Sequence, residues 1–313
     1  MTATSYVCPL CREALVSEPS AHRCPTCRRR FPVEDRIADF SEGKYFDSFV
    51  PGQIMTAAHL EGLANEIPGA VSRVRNFYLP LLAAQGRAPI GLRVLDSGCG
   101  NGLSVDLLCE QGLDAWGVDL SALRKWQWRE RAHRDRLACA DSLRLPFRDG
   151  AFDAILCSGV LEHVGVRERG GDRYEVVPLP DRDASRVAFL SEHARVLAPG
   201  GKLWLDFPNG AFPFDFWHGV RPGFPRRHRR DEGFLPTFRD LRRYALSLGP
   251  EWKVRPLTAR GRLQFRQVGR HWWGRLLTPS ADLYMAGLER APFLLQGAMN
   301  PFLVVEMSRQ TAS

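Results

Sequence analysis

Residues 96–102, Asp-Ser-Gly-Cys-Gly-Asn-Gly, place a glycine at every second position shortly after a carboxylate. Glycine adopts positive φ angles at low cost and lets backbone N–H groups come close to a ligand. A helical pattern over residues 103–109 follows, and the first N–H groups of a helix have no partner within it. The loop therefore predicts a site for a nucleotide-like molecule. Alone it is a weak signal, because its spacing departs from the G-x-G-x-x-G fingerprint and glycines in such turns often form only a tight connection.

Further polar side chains follow later apolar runs at regular intervals, namely Asp119, Asp141 with Ser142, and Ser158. We expect the apolar runs before them, together with residues 92–95, to be neighbouring parallel strands whose carboxyl ends meet at one edge of a sheet. An acid about twenty residues after the glycine loop is placed to accept hydrogen bonds from ribose hydroxyls. The series predicts a slot lined with hydrogen-bond acceptors.

Four of the eight cysteines form two Cys-x-x-Cys pairs with twelve residues between them: Cys8, Cys11, Cys24 and Cys27. This spacing can bring four thiolates to the corners of a tetrahedron, the geometry that zinc prefers. Nothing in the sequence indicates an oxidising compartment, which disfavours disulfides. Because sulfur would take all four positions, we expect a structural zinc. A segment of about 40 residues has too small a core to fold without such a link.

The composition is that of a globular protein with one basic region. Of 313 residues, 44% are hydrophobic and 25% are charged, and the net charge is +8. No apolar stretch approaches the ~18 residues of a membrane span, and the N-terminus lacks a signal-peptide pattern, so we expect a cytoplasmic protein. Residues 211–280 carry 15 basic and 5 acidic side chains, so the basic character is local.

Together, these motifs make residues 92–207 resemble class I S-adenosylmethionine-dependent methyltransferases, in the broad group that includes enzymes of ubiquinone and menaquinone biosynthesis. Asp96, Gly98, Gly100 and Gly102 match the first motif of the family. Residues 161–164 and 198–203 match its fourth and fifth blocks.

The resemblance implies a Rossmann-like α/β fold with a seven-stranded sheet, and S-adenosyl-L-methionine as cofactor. It implies that the glycine motif holds the methionine part of the cofactor, Asp119 the ribose, and Asp141 with Ser142 the adenine. Leu120 and Ser158 complete the expected cofactor-binding set. The resemblance says little about the methyl acceptor.

Three regions are predicted along the chain. Residues 1–40 resemble the zinc ribbons of small methyltransferase-activating proteins and of some methyltransferases. Residues 41–90 form a helical lid or linker that is punctuated at Pro68-Gly69, and residues 91–313 form the methyltransferase domain. Two residues of the lid are candidates to face the cofactor, although plain packing explains them equally well: Tyr45 and His59.

Insertions into this domain are expected at residues 165–182, 208–236 and 258–300. The second combines aromatic rings, which would exclude water from an acceptor pocket, with arginines that could hold an anionic group. The third holds arginines and tryptophans between Arg260 and Arg275. That pattern suits nucleic acid, a cap in peripheral contact with a membrane, or simply a helical lid packed on the core.

Methyl transfer requires an acceptor that is aligned with the methyl carbon and shielded from water. A base is required only when the acceptor must lose a proton. His163, after the fourth strand, is the first candidate, and His218, in the aromatic insertion, is the second. For His163, a packing role that shapes the start of a helix is equally compatible with the sequence.

Three functions are compatible with these features. The first is methylation of a small-molecule or lipid-linked biosynthetic acceptor. The alternative is an RNA methyltransferase, because the C-terminal half is basic and some rRNA guanine methyltransferases carry an N-terminal zinc motif. Against RNA, residues 206–209 differ from the Asn/Asp-Pro-Pro-aromatic motif of many base methyltransferases. The intact acids and glycines disfavour a scaffold with a dead cofactor site. The sequence does not indicate the oligomeric state.

Overall fold

The computed structural model of the protein describes residues 6–47, 49, 57–86, 90–169, 175–218, 225–229, 232–262, 280 and 283–310. The chain forms two compact units, residues 1–157 with 191–203 and residues 158–190 with 204–313. Within the described ranges, no helix has both the length and the apolar character that a membrane crossing requires.

The strands are β1 (Val16–Glu18), β2 (Ala21–Arg23), β3 (Arg30–Glu34), β4 (Ile37–Asp39), β5 (Arg93–Ser97), β6 (Asp114–Asp119), β7 (Leu137–Cys139), β8 (Phe152–Ser158), β9 (Val166–Arg169), β10 (Glu175–Pro178), β11 (Leu197–Pro208), β12 (Phe214–Asp215), β13 (Arg226–Arg227), β14 (Trp252–Leu257) and β15 (Phe302–Arg309). The helices are α1 (Ala57–Arg73), α2 (Leu79–Ala83), α3 (Leu103–Glu110), α4 (Ala122–Gln127), α5 (Arg182–Val196) and α6 (Phe238–Leu248).

A parallel sheet forms the centre of the first unit, with the strand order β4–β7–β6–β5–β8. Each of these strands pairs in parallel with its neighbours in this order. The apolar runs predicted as strands are fully buried, as Val94, Leu95, Ala115 and Ile155 illustrate. Strands covered on both faces lack the alternation of polar and apolar residues, which explains these continuous runs. The chain order of the strands reverses between β5 and β8, and ligands of such sheets bind at the carboxyl ends beside that point.

The N-terminal strands extend the edge of this sheet. β1 to β4 pair in sequence as an antiparallel meander, and β4 then pairs in parallel with β7, with Ala38 opposite Ala138. Tyr6 packs edge-on against Trp116, with 5.5 Å between the ring centroids. Residues 6–40 therefore share both a sheet and an aromatic cluster with the strands that follow the glycine loop. The domain boundary at residue 40 stays a prediction.

The helical segment before β5 differs from its prediction. α1 continues through Pro68 and Gly69, where the sequence predicts an interruption. A π-helical turn over Val74–Tyr78 then leads into α2. Val74, Phe77 and Tyr78 are buried, and this packing outweighs the low helix propensity of proline and glycine.

The second unit contains the last two strands and the described parts of the insertions. β14 and β15 pair antiparallel, with Trp252 opposite Arg309. A capping box formed by Thr237 and Asp240 starts α6. The first two insertions each contain a short antiparallel pair that sequence reasoning missed, β9 with β10 and β12 with β13. The predicted Rossmann-like α/β fold class is confirmed.

Candidate functional sites

The glycine loop after β5 has the backbone conformation that its sequence predicts. Gly98, Gly100 and Gly102 have φ angles of 81°, 55° and 74°, a region that side chains with a Cβ rarely adopt. The N–H groups of Gly98 and Cys99 both donate to the Val118 carbonyl, at 2.8 and 3.0 Å. The loop is thereby fixed to the end of β6 before α3 begins.

The surroundings of the second and third glycines differ. A Cβ added to Gly100 would meet no atom within 4 Å, whereas one on Gly102 would lie 2.7 Å from Leu137 Cδ1 and 2.9 Å from Trp128 Cδ1. The fully buried Trp128 also donates from its indole nitrogen to the Gly100 carbonyl, at 2.8 Å. Gly102 is thus required by packing, while Gly100 faces open space. Sequence reasoning missed Trp128 as the support of this loop.

Asp119 binds the loop directly. Its Oδ2 accepts a hydrogen bond from the Gly100 N–H at 3.0 Å. Burial raises the pKa of this carboxyl to about 6, against the hydrogen bond from Gly100 and the charge of Arg124, which lower it. The carbonyl of the neighbouring Leu120 accepts a hydrogen bond from the Phe46 N–H at 2.8 Å.

Other predicted residues of the cofactor set gather at the end of β5. The buried Asp96 accepts a hydrogen bond from the Ser104 hydroxyl in the first turn of α3. Ser142 Oγ lies 3.1 Å from Ser97 Oγ. Asp141 accepts the Leu143 N–H at 2.9 Å and so closes its own turn. The first unit therefore brings the glycines, Asp96, Asp119 and Ser142 close to the carboxyl end of one strand.

His193, which sequence reasoning missed, supports this group from α5. It is fully buried, and its Nε2 lies 2.9 Å from Ser97 Oγ. The sequence could not predict this contact, because His193 lies 96 residues after Ser97 in the chain.

Ser158 belongs to a different hydrogen-bonded group, in the second unit. Its hydroxyl donates to Asp206 Oδ1 at 2.8 Å. Arg262 donates to Asp206 at 2.8 Å and to Ser158 at 2.7 Å. An arginine that the sequence assigns to a basic insertion therefore forms a structural link, and the part of Ser158 in cofactor binding stays a prediction.

The two candidate bases lie side by side in the second unit. The rings of His163 and His218 are 5.2 Å apart between centroids and nearly perpendicular. Each Nδ1 contacts a carboxylate, Glu168 at 2.5 Å from His163 and Asp215 at 3.0 Å from His218. Burial lowers the pKa of His163, but the hydrogen bond with Glu168 and the nearby acids outweigh it, so the net pKa is raised.

Glu162 lies beside these rings and is 1% exposed. Burial raises the pKa of its carboxyl. Its Oε2 has no hydrogen-bond partner among the residues that the structure describes. One ligand atom from each of Glu162, His163 and His218 lies within 4.8 Å of the other two.

The aromatic insertion has an apolar surface, but its arginines are not equivalent. Phe214, Phe216 and Trp217 are 41–46% exposed. Arg226 forms ion pairs with the buried Asp215, at 3.5 Å, and with Glu232. Two other arginines of the described part are exposed, Arg227 and Arg229. Several basic and aromatic residues from the predicted insertions lie outside the described residues: Arg221, Arg230, Arg266, Arg270, Trp272, Trp273 and Arg275.

Of the two lid candidates, Tyr45 donates from its hydroxyl to Asp39 at 2.6 Å. Tyr45 therefore links the segment after β4 to the end of that strand. The side chain of His59 lies outside the described residues.

The four N-terminal cysteines converge. Their sulfur atoms all lie within 4.8 Å of one another, with Cys8 to Cys27 at 3.6 Å and Cys11 to Cys24 at 3.3 Å. A tetrahedral site with metal–sulfur distances of about 2.3 Å has edges of about 3.8 Å, so the arrangement fits zinc.

Comparisons with known proteins give matches over the central segment of the chain. Residues 95–205 match the family model described as "Methyltransferase domain". This segment is therefore similar to methyltransferase domains. The S-adenosylmethionine-dependent class I fold inferred from the motifs agrees with this match.

Curated relatives of the domain are named for different acceptors. A demethylmenaquinone methyltransferase of Beutenbergia cavernae is 34% identical over 122 residues, which cover 39% of this chain and 42% of that protein. A probable tRNA methyltransferase 9B of Mus musculus is 34% identical over 138 residues, covering 42% of this chain and 24% of that protein. The chain thus spans less than half the length of either relative.

Among solved structures, a TehB-like S-adenosylmethionine-dependent methyltransferase from Corynebacterium glutamicum is similar, with a TM-score of 0.46 and 19% identity. The match covers 82% of this chain and 100% of that chain.

Proposed function

We propose that the chain is an S-adenosylmethionine-dependent methyltransferase that binds its cofactor against the glycine loop of residues 96–102. The observation that carries this proposal is the loop itself. Within the matched methyltransferase domain, Gly98, Gly100 and Gly102 all have positive φ, and Gly100 has open space where a ligand can approach. Asp119 is hydrogen-bonded to the same glycine.

In this proposal each part of the cofactor has its own residues. Asp96 and the glycines hold the methionine part, Asp119 and Leu120 hold the ribose, and the adenine lies beside a pair of polar residues, Asp141 and Ser142. Ser158 is retained as a further candidate. The cofactor supplies an activated methyl group, and the protein orients the acceptor and excludes water.

We assign the acceptor to small-molecule or lipid-linked metabolites with an apolar part. The exposed rings of Phe214, Phe216 and Trp217 support this assignment, because they offer an apolar surface beside the exposed Arg227. The relative that acts on demethylmenaquinone supports the same class. Where the acceptor must lose a proton, His163 with Glu168 is the first candidate base and His218 with Asp215 the second.

RNA is the second candidate acceptor. The tRNA methyltransferase relative of equal identity favours it, as does the excess of basic residues between 211 and 280. Binding to RNA would depend strongly on salt, because it releases counterions from phosphates.

The regions proposed from the sequence give this enzyme three parts: a zinc ribbon at residues 1–40, a lid or linker at 41–90 and the methyltransferase domain at 91–313. The fit of the four N-terminal cysteines to a tetrahedron supports one structural zinc in the first part.

One experiment separates the acceptor classes. Full-length protein is incubated with S-adenosylmethionine labelled in the methyl group and with separate RNA, lipid and small-metabolite fractions, and the label is followed by mass spectrometry. We expect label in the lipid or metabolite fraction from wild type and a loss of at least tenfold with Asp119→Ala. Label only in RNA would favour the second candidate. Failure of wild type to bind S-adenosylhomocysteine in calorimetry would reject the methyltransferase proposal.

A further inference from the structure

Three potential metal ligands from two loops converge in the second unit. This Glu-His-His cluster consists of Glu162, His163 and His218, with its ligand atoms within 4.8 Å of one another. Glu162 and His163 follow β8, while His218 comes from the aromatic insertion after β12. Two imidazoles and one carboxylate form a donor set of catalytic zinc sites and of other divalent first-row metal sites.

Carboxylates hold both histidines in the manner of metal-binding imidazoles. Glu168 contacts His163 Nδ1, and Asp215 contacts His218 Nδ1. A metal-binding histidine usually donates its second ring nitrogen to a carboxylate, which fixes the ring and makes the other nitrogen a stronger ligand. The same device thus occurs twice, on neighbouring histidines of one cluster.

The carboxylates around the cluster favour the binding of a cation. Three carboxylates surround the two rings, those of Glu162, Glu168 and Asp215. Asp215 is fully buried and has Arg226 at 3.5 Å, but Arg226 also forms an ion pair with Glu232. Burying a carboxylate without a partner is costly, and Glu162 Oε2 has none among the described residues.

We propose that Glu162, His163 and His218 bind a divalent first-row metal ion such as zinc, with the Nε2 atoms of the rings and the carboxylate of Glu162 as ligands. This proposal goes beyond the cofactor site. Its mechanistic meaning rests on the proposed function: a metal with an open fourth position could bind a hydroxyl oxygen of the acceptor and lower its pKa, so that the proton passes to water without a general base from the protein.

The site requires only a small adjustment to bind metal. Ligands about 2.1 Å from a tetrahedral zinc are about 3.4 Å apart, and one donor atom of each residue already lies within 4.8 Å of the other two. Phe234 packs edge-on against both rings, with centroid distances of 5.5 and 4.8 Å. Its ring shields one side of the cluster.

A buried arginine holds the two loops in place. Arg186 is 2% exposed and donates to the carbonyls of Glu162 at 2.9 Å, Val164 at 3.2 Å and Phe234 at 2.5 Å. It therefore links the segment that carries two ligands to the ring that covers them. We assign Arg186 a positioning role.

The test counts zinc atoms in the full-length protein after dialysis against zinc and removal of loosely bound ions. We expect two per chain in wild type, and one in the double variant Glu162→Gln/His218→Gln. His133→Gln is the matched control, because His133 also contacts a carboxylate, Asp106 at 3.1 Å, outside the cluster. It should keep two zinc ions.

Cobalt titration of wild type provides a measurement that does not depend on a variant folding. We expect two cobalt ions, only one of which gives the sulfur-to-cobalt charge-transfer bands of thiolate ligands. Glu168→Gln should weaken the site without those bands by about 10- to 100-fold, as loss of a carboxylate behind a histidine ligand does.

Saturation of wild type at a single thiolate-bound metal would overturn the proposal, as would two zinc ions in the double variant. Binding of S-adenosylhomocysteine, measured on the same samples, reports separately on the proposed methyltransferase function. Loss of that binding with two metals present would reject the function and leave the metal site standing.

Discussion

Gly100 and Gly102 illustrate how two identical residues in one motif meet different demands. Both have positive φ, yet only Gly102 lies where a Cβ would collide with Leu137 and Trp128. Gly100 is held by its backbone, through Asp119 on its N–H and Trp128 on its carbonyl. One glycine therefore serves the packing of the domain, and the other lies at the surface where we propose that the cofactor binds.

Alanine variants of these glycines should separate stability from cofactor affinity. We expect Gly102→Ala to lower the free energy of unfolding by about 2–5 kcal/mol, the sum of overpacking and left-handed strain. Gly100→Ala should cost only about 1–2 kcal/mol but weaken S-adenosylhomocysteine at least tenfold, because its methyl group would occupy the approach to the loop. Urea unfolding and calorimetry measure the two quantities. Equal stability of the two variants would contradict this division.

The raised pKa of Asp119 predicts a pH dependence of cofactor binding. Its carboxyl titrates near pH 6, so it is ionised above that pH and neutral below it. A carboxylate accepts two ribose hydroxyls, whereas the protonated form has lost acceptor capacity. We expect the affinity for S-adenosylhomocysteine to fall from pH 7 to pH 5, by up to tenfold per unit below pH 6. In Asp119→Asn the affinity should be weaker and nearly independent of pH, and an equally steep profile there would exclude Asp119 as the titrating group.

At the scale of elements, the sequence predicts the buried strands, which continuous apolar runs mark, and the loop after β5, which its glycines mark. The buried runs at β5, β6 and β8 and the glycines after β5 are local patterns, and they suffice to predict the fold and the position of the glycine loop. Trp128 and Arg262 gave no such signal, because the contacts that define their roles join distant parts of the chain. Arg262 meets Ser158, 104 residues away. The short pairs β9–β10 and β12–β13 were missed because they lie in charged or proline-rich stretches that resemble loops.

A buried ion pair joins the N-terminal meander to α4. Lys125 donates to Asp39 at 2.7 Å, and the two side chains are 14% and 5% exposed. Asp39 ends β4, and it also accepts hydrogen bonds from the hydroxyls of Ser41 and Tyr45. These partners lower the pKa of Asp39 against the effect of burial.

Replacing Lys125 by methionine should therefore leave the buried Asp39 carboxylate without its cationic partner, with only the hydroxyls of Ser41 and Tyr45 still donating to it. We expect a loss of about 2–4 kcal/mol of unfolding free energy, at or below the cost of breaking a fully buried pair, because Ser41 and Tyr45 still donate. Adding Asp39→Asn should recover part of that loss. Chemical denaturation at pH 7 provides the measurement. A double variant less stable than Lys125→Met would show that the uncompensated charge is not the cause.

At the scale of the whole molecule, the meander and the parallel sheet are continuous, which the sequence did not predict. The cysteine spacing predicts a small metal-dependent segment at residues 1–40, and it carries no information on where that segment attaches. Attachment depends on backbone pairing between β4 and β7, which has no side-chain signature. Loss of the metal should therefore reduce the local stability of the sheet next to β4 as well as that of the segment itself.

Hydrogen–deuterium exchange on the full chain tests this expectation. After treatment with a chelator, or in the Cys11→Ser/Cys27→Ser variant, we expect faster exchange in residues 6–40, because a zinc site contributes directly to folding. Residues 137–139 of β7 should also exchange faster, since β7 would become the edge of the sheet once β4 separates. The central strand β5 should keep its protection, and so should the β14–β15 pair, which belongs to the other compact unit.

Cys109→Ser is the matched control, because this cysteine lies outside the zinc-type spacing. Unchanged protection of β7 alongside a loosened meander would show that β4 remains paired without metal, and that its attachment depends on contacts such as Tyr6 with Trp116 instead.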